Sequence, residues 1–308
     1  MHDRYRKDWS EGCEMSTPSV PPFRIALIGA GRVGTAVTEV LRRGGHEVAG
    51  VASRRAESAE RAAARLNSTS FDHRSELPDV DVLLLGVPDD AIEPVIAEVV
   101  PRLESGTVVI HFAGGLGVGP LKRASVAGAG VAALHPVQTF PDIVRGIERL
   151  PGAAWGVTTP EETQQWATDL ITSDLGGLPV LVPEELRSIW HAAAVSTSNG
   201  IAALLAVGEA MLAAIGIADP QRVLGPLAAS TVANAGMRGG AESLTGPVVR
   251  GEKGSIERHL EALTDVTPEL AEDYALIARV IVDSASRANR IGKEEAMKML
   301  ELLENPAR

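Results

Sequence analysis

The amino-acid sequence predicts an α/β fold: a doubly wound sheet followed by a mostly α-helical C-terminal domain. Three observations carry this expectation. Short aliphatic runs alternate with helical spacing through the first half of the chain. A glycine-rich turn joins the first of these runs directly to a helix. After Pro183 the strand signals stop and helical periodicity continues alone.

The first strand–turn–helix stretch reads "FRIALIGAGRVGTAVTEVLRRGG". Phe23 to Ile28 is a strand. Gly29, Gly31 and Gly34 form G-x-G-x-x-G, and Val33 to Arg43 is helical until Gly44 and Gly45 stop it. Gly29 permits the tight turn, Gly31 lets a pyrophosphate approach the backbone, and Gly34 lets helix and strand pack closely. With Ala30, Arg32 and Val33 beside them, the glycines open a helix N-terminus whose unpaired N–H groups favour phosphate. A glycine pattern set between a first strand and a helix reads as a Rossmann-type dinucleotide site.

The next strand, His46 to Ser53, ends where an adenosine ribose is expected. An NAD-specific site places Asp or Glu there, whereas this chain has Ser53, Arg54 and Arg55. A hydroxyl and two guanidiniums suit a 2′-phosphate, because Arg meets phosphate as a charged fork. The expected cofactor is NADP(H). The plainer alternative is that Arg54 and Arg55 decorate a solvated loop.

After a helix near Ala56 to Leu66, "DVDVLLLGVPDDAI" gives a buried strand ending at Gly86, Val87 and Pro88, with Asp89 as cap of the following helix. "TVVIHFAGG" is another strand, running into a glycine-rich loop from Ala113 to Gly119, and "GVAALHPVQTF" is a third. Ligands bind beyond the carboxyl ends of such strands. Val87, Pro88 and Gly114 are therefore cofactor candidates, and His135 is a substrate-side candidate. "AAWGVTT", a helix over 160–175 and "LPVLVP" extend the sheet. The Rossmann domain is expected over residues 23–183 and the helical substrate and dimerisation domain over 184–308.

Glu184 to Ile215 reads as one long buried helix, relaxed at Gly200 and Gly208. Asp219 and Pro220 start a second, with the aspartate as cap. Ser255 caps a short helix to Leu263, Thr267 and Pro268 open another to about Asn289, and Lys293 to Glu304 is the last. Inside the long helix, "WHAAAVSTSNG" sets polar groups in an apolar run, which is costly unless they are paired or used. At about 100° per residue, His191 and Ser198 share a face and Asn199 sits about 80° round. Ser196 and Thr197 read as internal hydrogen bonders to carbonyls one turn back. His191 and Asn199 read as catalytic candidates, with a satisfied internal network as the alternative.

A chain of 308 residues with net charge −11 has room for two domains and argues against nucleic acid or anionic membrane as partner. No apolar run of about 18 lacks a polar interruption, so no membrane span is expected. A small-molecule substrate and a second copy of the chain are the expected partners, in the cytoplasm. The single cysteine, Cys13, supplies neither a disulfide framework nor a cysteine zinc site, and no metal is expected. It lies in a polar stretch, residues 1–22, that ends in prolines and lacks the apolar core of a signal peptide. A disordered tail is expected there, with Met15 as an alternative start.

"IALIGAGRVGTA", "GVPDDAI", "VVIHFAGGLG", "ALHPVQTF", "WHAAAVSTSNG" and "LTGPVVRGEKGSIERHL" occur in this order. Together they resemble the bacterial two-domain proteins that join a Rossmann-like NADP-binding domain to a helical domain long labelled as of unknown function. That family is similar to pyrroline-5-carboxylate reductases, prephenate dehydrogenases and ketopantoate reductases. The resemblance implies an NADPH-dependent reductase of a small 2-keto acid, ketopantoate (2-dehydropantoate) foremost, in pantothenate synthesis. Reduction of a cyclic imine of the pyrroline-5-carboxylate type is the alternative within enzymes, and a non-catalytic NADPH sensor the alternative outside them.

One departure is informative. The usual ketopantoate reductase resembles a design in which a helix-borne Lys, with an Asn one turn later, polarises the keto group. This chain has no lysine between Lys122 and Lys253. The resemblance then leaves His191 to donate to the oxygen that gains charge, with Asn199 holding the substrate or orienting the amide side of the site. Arg250, with Thr245 beside it, is the candidate partner for a substrate carboxylate, and an exposed loop arginine is the alternative. Ser198 joins the substrate-side candidates, and Lys253 is the other lysine placed to reach in. His135 resembles the His-Pro of prephenate dehydrogenases, with a structural strand-end histidine as its alternative. His111 and His259 read as structural.

Overall fold

Apolar runs too short for helices lie side by side as strands. β1 (Arg24–Ile28), β2 (Glu47–Ala52), β3 (Val82–Leu85), β4 (Val108–His111) and β5 (Gly130–Pro136) are parallel. β6 (Ala154–Thr158) runs antiparallel to β5, and β7 (Leu178–Leu181) runs parallel to β6. They form one seven-stranded sheet in the order β2-β1-β3-β4-β5-β6-β7. The computed structural model describes residues 21–304. The tail expected over 1–22, with Cys13 and Met15, lies outside the described residues except for Pro21 and Pro22.

Parallel strands have two apolar faces to cover, and helices cover both. α1 (Arg32–Arg43), α2 (Ala56–Arg65), α5 (Ile143–Arg149) and α6 (Glu161–Asp169) bury Val37, Leu41, Ala62, Ile147 and Ala167 against Ile25 and Leu27. α3 (Asp89–Val99) and α4 (Lys122–Val126) bury Ile92, Ile96 and Ala124 against Ile28, Leu83 and Leu85 on the other face. The carboxyl ends of β1, β3, β4 and β5 thereby stand along one edge, where they deliver Gly29, Gly86, Gly114 and His135. The doubly wound sheet expected from the sequence is present, with β6 and β7 both reversed.

Beyond β7 every regular element among the described residues is helical: α7 (Arg187–Ala214), α8 (Pro220–Arg238), α9 (Lys253–Val266), α10 (Pro268–Arg287) and α11 (Lys293–Leu302). The chain divides into two compact units, Met1–Val195 and Ser196–Arg308, so the division falls inside α7. The core of the second unit comes from α9, α10 and α11, through Ile256, Leu260, Ala278, Val282 and Met299.

The expectation of a buried long helix is corrected. Among the residues of α7, Arg187 alone is fully buried, and Val195 and Leu204 are exposed. α8 likewise exposes Val223, Leu227 and Val232. The physical reason is that α9, α10 and α11 close their core on one another, without the apolar faces of α7 and α8. The helix also runs unbroken through Gly200 and Gly208, where relaxation was expected. Glu184–Ala214 is long and apolar enough to cross a membrane, by length and composition only, and its apolar stretch is not buried within the chain.

Three expected caps are also corrected. Asp89 is the first residue of α3, Asp219 precedes α8 without a side-chain cap bond, and Ser255 lies inside the first turn of α9. Asp142 does act as a cap, accepting the Arg145 N–H at 2.8 Å ahead of α5.

Candidate active site

The turn after β1 is built on backbone contact. Gly29 has φ +100°, and a Cβ placed on it would lie 2.5 Å from the Gly86 carbonyl carbon. A Cβ on Gly86 would lie 2.5 Å from the Gly29 oxygen, and one on Gly34 would lie 3.1 Å from the Gly86 Cα. The first turn of α1 is thus pressed against the end of β3. Gly31 holds the N-cap position of α1 and makes no side-chain cap bond. The N–H groups of Arg32, Val33 and Gly34 are left to an anion, which the helix dipole also favours.

A cleft of about 930 Å³ opens beside this turn. Gly29, Ala30 and Gly31 form one wall, Val87 and Pro88 another, and Ser53, Arg54 and Arg55 stand at the end of β2. Arg32, Val33, Gly34 and Gly114 are not part of its lining. Ser58, His73, Arg74 and Glu98, which sequence reasoning missed, are. His73 lies 3.2 Å from the Glu98 carboxylate and Arg74 lies 3.7 Å from it. They come from a turn and from α3, so no local spacing marks them. The glycine cradle, the uncapped helix end and the basic rim fit a dinucleotide, and the volume falls within the usual range for ligand sites.

Further along the same edge, the loop after β4 is held from several sides. His111, read as structural, accepts the Ala113 N–H at Nδ1 (3.2 Å) and donates from Nε2 to the Gly117 carbonyl (2.8 Å). The Glu184 carboxylate accepts the N–H groups of Val118 (2.8 Å) and Gly119 (3.1 Å). Arg187, in the first turn of α7, donates to the carbonyls of Ala113 (2.7 Å), Leu116 (3.0 Å) and Gly156 (3.0 Å). Burial pushes its guanidinium down to about 10, with Glu184 pulling the other way.

That anchoring sets the next turn of α7 over the strand ends. Trp190 donates its indole N–H to Nδ1 of His135 at 3.0 Å. The rings of His135 and His191 meet edge-on, 5.5 Å apart at 78°. Both face Gly114, where a Cβ would lie 2.5 Å from His191 Cδ2 and 2.9 Å from His135 Nε2. His135 is held far below the ordinary imidazole range, at about 4, by burial first and then by the charges of Arg187 and His191. Sequence reasoning named both histidines and Gly114 but missed Arg187 and Trp190. Trp190 was visible only as a polar tip in an apolar run.

The remaining candidates belong to the second unit. Ser198 and Asn199 are exposed on α7, and Thr245 is exposed in the loop before α9. Arg250, expected to bind a substrate carboxylate, is exposed and bonded to Glu252 at 2.5 and 3.2 Å. Lys253 opens α9 and lies 3.3 Å from Glu257. His259, read as structural, shares a 2.7 Å hydrogen bond with the Tyr274 hydroxyl.

Residues 12–136 match the Rossmann-like domain family, and residues 153–281 match the domain of unknown function DUF2520. A 115-residue segment is 31% identical to the glycerol-3-phosphate dehydrogenase (NAD(P)+) of Enterococcus faecalis, covering 33% of this chain and 34% of that protein. The chain thus spans about a third of the length of the curated relatives it matches. A solved structure from Bacteroides fragilis, described as an NADP oxidoreductase, has TM-score 0.71 at 22% identity, over 84% of this chain and 98% of that one. The pyrroline-5-carboxylate reductase of Coxiella burnetii has TM-score 0.55 at 18% identity, over 94% and 100%. These two likenesses are likenesses of fold.

The depressed His135 gives a pH dependence with a definite sign. Unfolded, the imidazole titrates near 6.5; folded, it does so at about 4. Above pH 6.5 its full stability contribution is present. As the pH falls from about 6.5 towards 4, the unfolded chain takes the proton and the folded one refuses it, so stability is lost over that window. An NMR titration should find the His135 ring neutral at pH 5, and a midpoint near 6.5 would contradict this account.

Proposed function

For a chain that joins a Rossmann-like domain to a DUF2520 domain, we propose an NAD(P)-dependent oxidoreductase. Its finer reading is an NADPH-dependent reductase of a small 2-keto acid, with 2-dehydropantoate reduced to pantoate as the first candidate reaction. The observation that carries it is the meeting of His135 and His191 over Gly114, on the strand edge that also carries the dinucleotide-type turn.

Bound NADPH would supply a hydride to the keto carbon. The chain's own groups do the rest. Gly29, Gly31 and the open end of α1 take the pyrophosphate, and Gly114 leaves space beside the histidines. In its protonated form His191 gives a proton to the oxygen that gains negative charge, a role worth about 100-fold or more in rate. The absence of lysine from α7 leaves this task to an imidazole. The proposal rests on groups of the first unit.

NADPH is preferred to NADH in this reading because Ser53, Arg54 and Arg55 face the cleft where an acidic residue would select NAD. Charge-assisted bonds to a 2′-phosphate are worth about 1.5–3 kcal/mol each. NADPH should therefore bind at least about tenfold more tightly than NADH by fluorescence titration. Equal affinities would remove the assignment.

The likeness of fold to a pyrroline-5-carboxylate reductase supports a second reading, reduction of a cyclic imine. A protonated imine needs less from a general acid. His191→Ala should lose about 100-fold in kcat on 2-dehydropantoate. Near-full turnover of the keto acid by the variant would sink the role of His191. Turnover of pyrroline-5-carboxylate alone would favour the imine reading, and NADPH binding without oxidation by either substrate would favour a sensor.

A cytoplasmic homodimer completes the proposal. Leu204, Val223, Leu227 and Val232 are exposed together with much of α7 and α8, and monomers rarely leave a large apolar patch uncovered. Glu209 and Asn199 on α7 suit a protein interface better than lipid. Sedimentation at micromolar concentration should give twice the chain mass; a monomer there would refute it.

A further inference from the structure

An indole has one polar hydrogen and no acceptor. The 3.0 Å contact between Trp190 Nε1 and His135 Nδ1 therefore has a single sense: Trp190 donates and Nδ1 accepts. A neutral His135 must then carry its proton on Nε2. That nitrogen faces Gly114, where a Cβ would stand 2.9 Å away, and no hydrogen-bond acceptor meets it among the described residues. His111 makes the contrast, with both ring nitrogens spent inside its own loop.

The arrangement is built into the backbone. Gly156 lies opposite His135 in the β5–β6 pair. A Cβ on Gly156 would fall 2.6 Å from the Trp190 indole, so the indole fills the space that a side chain here would need. Arg187 bonds the carbonyl of the same glycine and sits one turn before Trp190 and His191 on α7.

We propose that His135, set in its Nε2–H tautomer by Trp190, is a hydrogen-bond donor to the substrate's carbonyl oxygen, so that the site takes carbonyl compounds rather than protonated imines. This rests on the reductase reading above. A carbonyl oxygen has lone pairs and gains charge as hydride reaches carbon, so a rigid neutral donor stabilises the transition state more than the ground state. A protonated imine nitrogen has an N–H and no lone pair, and would meet Nε2–H as donor against donor. The two histidines divide the work. The carbon takes the hydride, the oxygen takes the π pair and then the proton of His191, and His135 keeps its own proton. His191 is reprotonated from solvent. Trp190 is a positioning residue, because it acts only through His135.

The test uses the full chain with NADPH. NMR of 15N-labelled histidine reads the two His135 nitrogens separately. Nδ1 should be bare and Nε2 protonated from pH 5 to 8, and a proton on Nδ1 overturns the proposal. Trp190→Phe keeps an aromatic ring and removes the donor. It should show mixed His135 tautomers and a kcat on 2-dehydropantoate lower by about tenfold, as for loss of an orienting partner, with NADPH affinity unchanged. An unchanged tautomer and kcat overturn the role of Trp190. His135→Phe should lose about 100-fold on the keto acid, the usual cost of removing an oxyanion donor, while any turnover of pyrroline-5-carboxylate should stay level or rise, because the opposed donor is gone. Equal losses on both substrates overturn the donor assignment. If NADPH binds and the tautomer is as stated but neither substrate turns over, the reductase reading fails and takes the donor's catalytic role with it. Turnover with the other tautomer overturns only the proposal made here.

Discussion

Burying a guanidinium costs several kcal/mol unless its N–H groups are met. Arg187, 1% exposed, meets carbonyls on a loop and on a strand that are remote from it in sequence. Charge-assisted bonds of this kind are worth about 1.5–3 kcal/mol each, enough together to offset the burial. The consequence is positional. The first turn of α7 can sit only where Ala113, Leu116 and Gly156 all present their carbonyls, and that place puts Trp190 over Gly156 and His191 over Gly114. The meeting of the two imidazoles depends on this one anchored side chain.

The half of the site whose shape fits a dinucleotide was legible because its signals are local. Gly29, Gly31 and Gly34 are close in sequence and follow a strand, and Ser53, Arg54 and Arg55 follow the next one. The other half was legible only in part. His135 and His191 announce themselves as polar groups in apolar runs, but the residue that fixes the tautomer of one is 55 positions away. Arg187 has backbone partners 71 and 74 positions away, and backbone carbonyls have no sequence signature. The misplaced caps have a similar origin: Asp and Ser favour helix starts, but Asp89 and Ser255 fall inside their helices, and Asp219 lacks the extended backbone with which Asp142 makes its cap bond.

The long helix taught a different lesson. Its composition is apolar, and the inference from that to burial within the same chain was the error. A small core of α9, α10 and α11 suffices for the second unit, and the apolar faces of α7 and α8 stay outside it. Net charge shows a comparable separation of scales. The chain carries −11 overall, yet Arg54, Arg55 and Arg74 gather at the cleft. The field a charged ligand meets there is set by that rim as well as by the total.

Gly29 and Gly86 have an evolutionary corollary. Each occupies, with main-chain atoms, the space where the other would carry a Cβ. A clash with a side chain can be relieved by trimming that side chain elsewhere, but a clash with a carbonyl persists whatever residue bears it. No substitution at one position can therefore make room for a substitution at the other, in either order. Variation in this protein can flow through the rim, the helix faces and the loops, while this pair remains a point that single mutational steps cannot cross without first moving the strands apart.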